Sequence, residues 1–252
     1  MKVRKSVAFF ATLIAGLIVL AGCAGMEPAY STELQFVTHQ TAGMVEQDVF
    51  VTHEDLPGDQ VMRATLEDLE DPAILDQMVL KSGAPTEHDP FAMGEAPLGP
   101  FSRGDELGVT MAEWLAASGT GRYSTQGDDA TIEASFENLI PGGTYTIWCT
   151  RIKTPPAPVI FDIACGQWDG ADNTMIAADD GTASFSIAMQ PMMDTADDHI
   201  SMVAIAYHSD GKTWGPLPGE FGTLSHVQAF AILPPPGAET WSTTVEPVAS
   251  AK

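Results

Sequence analysis

Basic residues are scarce in this chain: 11 lysines and arginines stand against 34 aspartates and glutamates, a formal charge of −23. A surface so negative repels phosphate backbones and anionic headgroups, which argues against nucleic acid as a partner. Long apolar runs are missing as well. The longest, Val7 to Leu20, falls short of the roughly 20 residues that span a bilayer. Familiar catalytic signatures are also absent: no Gly-x-Ser-x-Gly elbow, no His-Glu-x-x-His, no phosphate-cradling Gly-x-x-x-x-Gly-Lys-Ser/Thr loop and no Cys-x-x-Cys. Those absences lower the case for catalysis, although a triad dispersed along the chain would leave no such trace. Aromatics make up only 8%, but a 44% hydrophobic content supports a real core.

The amino terminus carries Lys2, Arg4 and Lys5, then the apolar stretch, then Ala21 and Gly22. This is the three-part layout of a secretory signal. The segment "LAGC", Leu20 to Cys23, resembles the lipobox of bacterial lipoproteins. The resemblance implies cleavage after residue 22, a diacylglyceryl group on the Cys23 thiol and acylation of the new amino terminus. Several acyl chains together anchor stably where one is marginal, so the expected partner at this end is a membrane, reached through lipidated Cys23. Ala24 follows in place of the Asp that retains lipoproteins at an inner membrane, which points to the outer membrane in a Gram-negative cell. Loss of residues 1–22 removes three bases and no acids, leaving the mature chain more negative still.

Cys149 and Cys165 remain. In an exported protein the expectation is a disulfide between them, closing a loop of about 15 residues and contributing on the order of 3 kcal/mol through chain entropy. It would tie down "TPPAP", 154 to 158, whose prolines exclude helix.

Period and punctuation divide the rest. Residues 23–32 read as a lipidated tether interrupted by Pro28. A preface, 33–119, contains two short strands, "ELQFVTH" and "DVFVTHE". A helix is expected over 71–83, with Asp71 as cap, Pro72 in the first turn and Gly83 as stop. A Pro- and Gly-rich linker or draped loop follows over 83–108. A second short helix starts at the Thr110/Glu113 capping box and ends at Gly119. Over 120–233 the period becomes two. Ile132, Ala134 and Phe136 alternate with polar residues, as do Ala183, Phe185, Ile187 and Met189. "ISMVAIAYH" and "VQAFAIL" are apolar on both faces and read as central strands. The tail, 234–252, reads as mobile.

Strands of this kind separated by turns imply an antiparallel β-sandwich. "LIPGGTY", Leu139 to Tyr145, resembles the corner of fibronectin type III and related immunoglobulin-like domains. The pattern of Tyr145, Cys149, Cys165 and "ADDGTASFSI" is also similar to the neocarzinostatin group of immunoglobulin-like sandwiches. What this resemblance implies is a fold class, mainly β and immunoglobulin-like with a strand and helix preface, and no ligand.

Three constellations are candidates for function. Asp169, Asp172 and Asn173 in "WDGADN", with Asp179 and Asp180, offer hard oxygens suited to calcium, set against acidic turns with no EF-hand spacing. Met189, Met192, Met193 and His199 offer soft ligands for Cu(I), set against methionines that fill a core. The connection from 207 to 226 is long for a loop without regular structure. It brings Trp214 and Phe221 as apolar faces and His208, Asp210, Glu220 and His226 as polar groups, the two histidines at strand edges where they would face each other. The bland alternative is a Gly/Pro-ordered loop covering the sandwich end with its histidines hydrogen-bonded locally. The sequence therefore reads as an exported, lipid-anchored envelope module that binds an unidentified envelope or extracellular ligand or serves a structural role. A calcium- or copper-binding lipoprotein is the alternative, and a hydrolase with dispersed catalytic residues the third reading.

Overall fold

The structure, a computed structural model, describes residues 30–42, 48–86, 97–153, 160–192 and 199–234. The signal segment, Cys23, most of the tether, residues 154–158, Met193 and the tail from 235 lie outside them.

In chain order the elements are β1 Tyr30–Phe36, β2 Gln60–Val61, a 3-10 turn at Asp68–Glu70, α1 Pro72–Leu75, β3 Met78–Ser82, β4 Phe101–Thr110 and α2 Met111–Leu115. Then follow β5 Ser118–Gln126, β6 Asp129–Glu137, β7 Thr144–Lys153, β8 Ile160–Ala164, β9 Thr174–Ile176, β10 Ala183–Met189, β11 His199–His208 and β12 Ser225–Ile232. The chain is mainly β, and every strand pair is antiparallel. One sheet runs β1-β5-β6-β10, and a second runs β12-β11-β7-β8 with β9 also on β7. A small third sheet, β2-β4-β3, belongs to the preface.

Alternation builds the sandwich as the sequence implies. Ile132 and Phe136 of β6, and Phe185, Ile187 and Met189 of β10, are buried in one core with Val203 and Ile205 of β11 and Ile147 of β7. Each large apolar side chain so buried contributes about 1.5–3 kcal/mol. Glu133, Ser135 and Glu137 face solvent. β11 and β12 are apolar on both faces because a second cluster covers the far side, with Trp148, Met202, Ala204, Ala206, Val227 and Phe230 packed around Ala42. β11 is central, as expected. β12 instead ends its sheet, and its outer edge meets Val37 through a two-bond bridge to Phe230 at 2.9 and 3.0 Å. That bridge links the two sheets along one side.

Four local expectations are corrected. The helix over 71–83 is a single turn, α1, capped by Asp71 through Ala73 N at 2.9 Å. The chain then turns into β3, because Val79 and Leu80 bury on a short sheet and Leu80 exchanges two backbone bonds with Phe50. The draped loop contains β4, a ten-residue strand held between β2 and β3. The capping box of α2 forms as read, with Thr110 Oγ1 accepting from Glu113 N and Glu113 accepting from Thr110 N. Gly119, however, lies within β5 rather than stopping a helix. Phe36 and Phe136 flank it in register, and their rings meet edge to face at 4.8 Å; a Cβ at Gly119 would stand 2.5 Å from the Phe136 ring. Finally, the division at 119 puts β1 with the preface, whereas its pairing with β5 makes it part of the sandwich from Tyr30 onward. The remaining preface docks through a core of Val49, Val51, Ile74, Val79, Met111 and Trp114, against which Tyr207 packs.

Candidate functional site

The 207–226 connection divides into structural anchors and one exposed ring. Tyr207 pairs with His226, and His208 with Ser225, so the period of two puts the imidazoles on opposite faces of the sheet. The expectation that they face each other is therefore corrected. His208 Nε2 lies 2.6 Å from Thr146 Oγ1, which also accepts from Trp148 Nε1 at 2.7 Å. Burial pushes the His208 pKa down, against the pull of Asp210. His226, wholly enclosed, donates from Nδ1 to Asp48 O at 2.7 Å and places Nε2 3.1 Å from Ser209 Oγ. Burial drives its pKa down to about 4, with the Asp48 carbonyl and carboxylate opposing. Both histidines are thus local fasteners. Asp210 closes a turn onto Lys212 N at 3.1 Å, and the Glu220 carbonyl accepts from Leu224 N and Ser225 N. Phe221 packs on the second cluster, and its carbonyl accepts from Thr86 N at 3.1 Å.

The acidic candidates are turn residues. Asp169 Oδ1 accepts from Ala171 N, Asp172 Oδ1 from Gln167 N, and Asp180 Oδ1 from Thr182 N and Oγ1. The Thr182 bonds hold the Asp180 carboxyl below its usual pKa. Asn173 is buried and bonds both the N–H and the carbonyl of Ile147. Asp179 is an exposed turn residue beside Asp180. Among the described residues no group of three or more His, Cys, Asp or Glu gathers as a metal site. Of the soft set, Met189 Sδ lies 3.8 Å from Cys149 Sγ in the core, Met192 packs on that core and His199 is buried at the start of β11. Cys149 and Cys165 are bonded to each other.

What the fold does bring together is the loop 165–173, between β8 and β9, and the loop 209–224. They meet backbone to backbone: a side chain on Gly170 would overlap the Gly215 carbonyl. The four large hydrophobic side chains that stand exposed among the described residues are Trp168, Ile176, Trp214 and Leu217, at 44, 61, 43 and 65%. Trp168, Trp214 and Leu217 lie on these two touching segments, and Ile176 ends β9, the strand that follows the first of them. Trp214 is held by a bridge to Leu217 and by Gly219 against its indole edge. Trp168 sits at a φ of 62°, a left-handed conformation that bulky residues rarely adopt. Backbone so constrained, bearing an exposed indole, is more characteristic of recognition sites than of plain connections. Trp214 was legible as a candidate. Trp168 was not, since its segment reads first as a source of carboxylates.

Among the described residues no helix is long and apolar enough to cross a membrane. No protein-family model matches the chain, and no curated protein matches it either.

Proposed function

We propose that this chain is an exported, lipid-anchored module of the cell envelope that binds an extracytoplasmic ligand through the touching loops 165–173 and 209–224. The anchor rests on the basic, apolar and "LAGC" succession ending at Cys23. The observation that carries the binding role is the exposure of Trp168, Trp214 and Leu217 on these two segments. Large apolar side chains grouped at a surface mark interaction sites, and tryptophan, with a wide face and few rotatable bonds, is the residue that most often supplies their binding energy. The excess of acid keeps nucleic acid away and favours neutral or cationic ligands at these loops.

The test is retention of solubilised envelope fractions on the immobilised full chain. Trp168→Ala and Trp214→Ala should each reduce retention severalfold while the thermal midpoint moves little. Metabolic labelling with a fatty acid should mark the parent and fail on Cys23→Ser. Retention unchanged in the double tryptophan variant overturns the binding role, and a labelled Cys23→Ser chain overturns the anchor.

A further inference from the structure

Among the described residues a cavity of about 320 Å³ opens between β7, β10 and β11. Its volume falls in the range of small-molecule sites. Cys149, Ile163, Trp168, Met189, Pro191 and Met192 supply apolar walls, and Arg151, Ser201 and Gln190 supply polar groups. The walls are built rather than draped. Cys149 is tied by its disulfide and touches Met189, Arg151 and Ser201 are directly paired across β7 and β11, and Met192 N donates to the buried Tyr123 hydroxyl at 2.8 Å.

Arg151 is the informative residue. The other described arginines each have a carboxylate within reach: Arg63 with Asp48 at 3.8 Å, Arg103 with Glu106 at 3.7 Å and Arg122 with Glu33 at 3.4 Å. Among the described residues none pairs with Arg151, and its Nε is buried without a hydrogen-bond partner. In a chain of charge −23, a guanidinium on a cavity wall that meets no carboxylate among the described residues is the reverse of what composition favours. A buried donor left unmatched is costly, more so when charged, and the native exceptions call for a ligand, ion or water to complete them. A guanidinium presents a planar fork that matches a carboxylate in two bonds.

We infer that this cavity binds a small organic carboxylate, its anionic end on Arg151 and its flat or branched apolar body between Trp168, Met189 and Met192. This is a small-molecule site distinct from the ligand-binding face proposed above, with Trp168 common to both.

Calorimetric titration of the full chain with phenylacetate, phenylacetamide and inorganic phosphate tests it. Phenylacetate should bind saturably and at least tenfold more tightly than its neutral amide or phosphate. Arg151→Gln should abolish that preference, Arg151→Lys should keep part of it, and Trp168→Ala should weaken phenylacetate binding. Trp214→Ala, which is not among the residues lining the cavity, should leave phenylacetate binding as in the parent even where it reduces envelope retention, so the two sites fail separately. The comparison of acid with amide on the parent chain needs no variant to fold. Equal binding of acid and amide, phosphate binding as tight as phenylacetate, an Arg151→Gln chain with its preference intact, or no saturable binding at millimolar phenylacetate overturns the inference.

Discussion

The hydroxyl of Tyr145 donates to Gln228 Oε1 at 2.8 Å, spanning from β7 across β11 to β12. The same oxygen accepts from Ile140 N at 2.9 Å, five residues upstream, so one buried phenol pins the turn that enters β7 and reaches the far strand. Gln228 is available because β12 bulges there: Val227 pairs with Ala206 and Ala229 with Ile205, leaving Gln228 between them. Its amide nitrogen then donates to the carbonyl of Trp114 at 3.1 Å, joining α2 to the sandwich.

Tyr145→Phe should therefore cost more than one surface hydrogen bond. It strands the Ile140 amide and the Gln228 oxygen in a buried place, for a loss of about 1–3 kcal/mol. Urea denaturation should show a lower midpoint with an unchanged slope. A change within error would mean that water replaces the phenol.

His226 makes stability depend on pH. Its pKa is near 4 in the folded protein against 6.5 when exposed, so between those values the unfolded chain binds the extra proton. The contribution is complete above 6.5 and declines as pH falls towards 4, by up to about 1.4 kcal/mol per pH unit. His208, also lowered, adds in the same direction. Urea midpoints measured between pH 7 and pH 5 should fall in the parent and fall less steeply in His226→Gln, whose overall stability is lower. Equal slopes would show that His226 is already protonated when folded.

The Cys149–Cys165 bond closes a separation of 16 residues between β7 and the segment just after β8. Cys149→Ser with Cys165→Ser should lower unfolding free energy by about 3 kcal/mol through the longer leash of the unfolded chain. Chemical denaturation measures it. It should also loosen the wall of the cavity beside Arg151, so weakened phenylacetate binding should accompany the loss.

Gly170→Ala tests the meeting of the two loops. Gly170 has a φ of 74° and no room for a Cβ against Gly215. The substitution should part the loops, raise hydrogen exchange in 209–224 and reduce envelope retention, while Gly211→Ala, which has open space at a similar φ of 69°, should cost only local strain. Retention unaffected by Gly170→Ala would show that each loop acts alone.

Elements with strong period and short range were legible. The alternation around Phe136 and Phe185, the Thr110–Glu113 box and the cysteine pair each follow from interactions within a few residues or from one chemical rule. Residues 71–83 were not, because a helix cap at Asp71 and an apolar run suit one turn of helix as well as a full one. What makes Met78–Ser82 a strand is the edge offered by Phe50, 30 residues before its partner Leu80, and by β4, whose paired residues follow 21 to 32 residues later. The class of the two histidines was open for the same reason. Their spacing suggests a pair, but strand register throws them to opposite faces, where Thr146, Asp48 and Ser209 engage them.

The sequence by itself determined the acidic balance, the segments able to form a β-sandwich, the cysteine pair and the N-terminal pattern ending at Cys23, because composition, period and contiguous motifs are written along one dimension. The tertiary structure alone decided that Gly170 meets Gly215, that Trp168 and Trp214 stand exposed on touching loops, and that Arg151 reaches a cavity with no carboxylate to neutralise it among the described residues. These depend on how strands far apart in the chain are ordered and registered, and that is settled by packing between sheets rather than by any local preference.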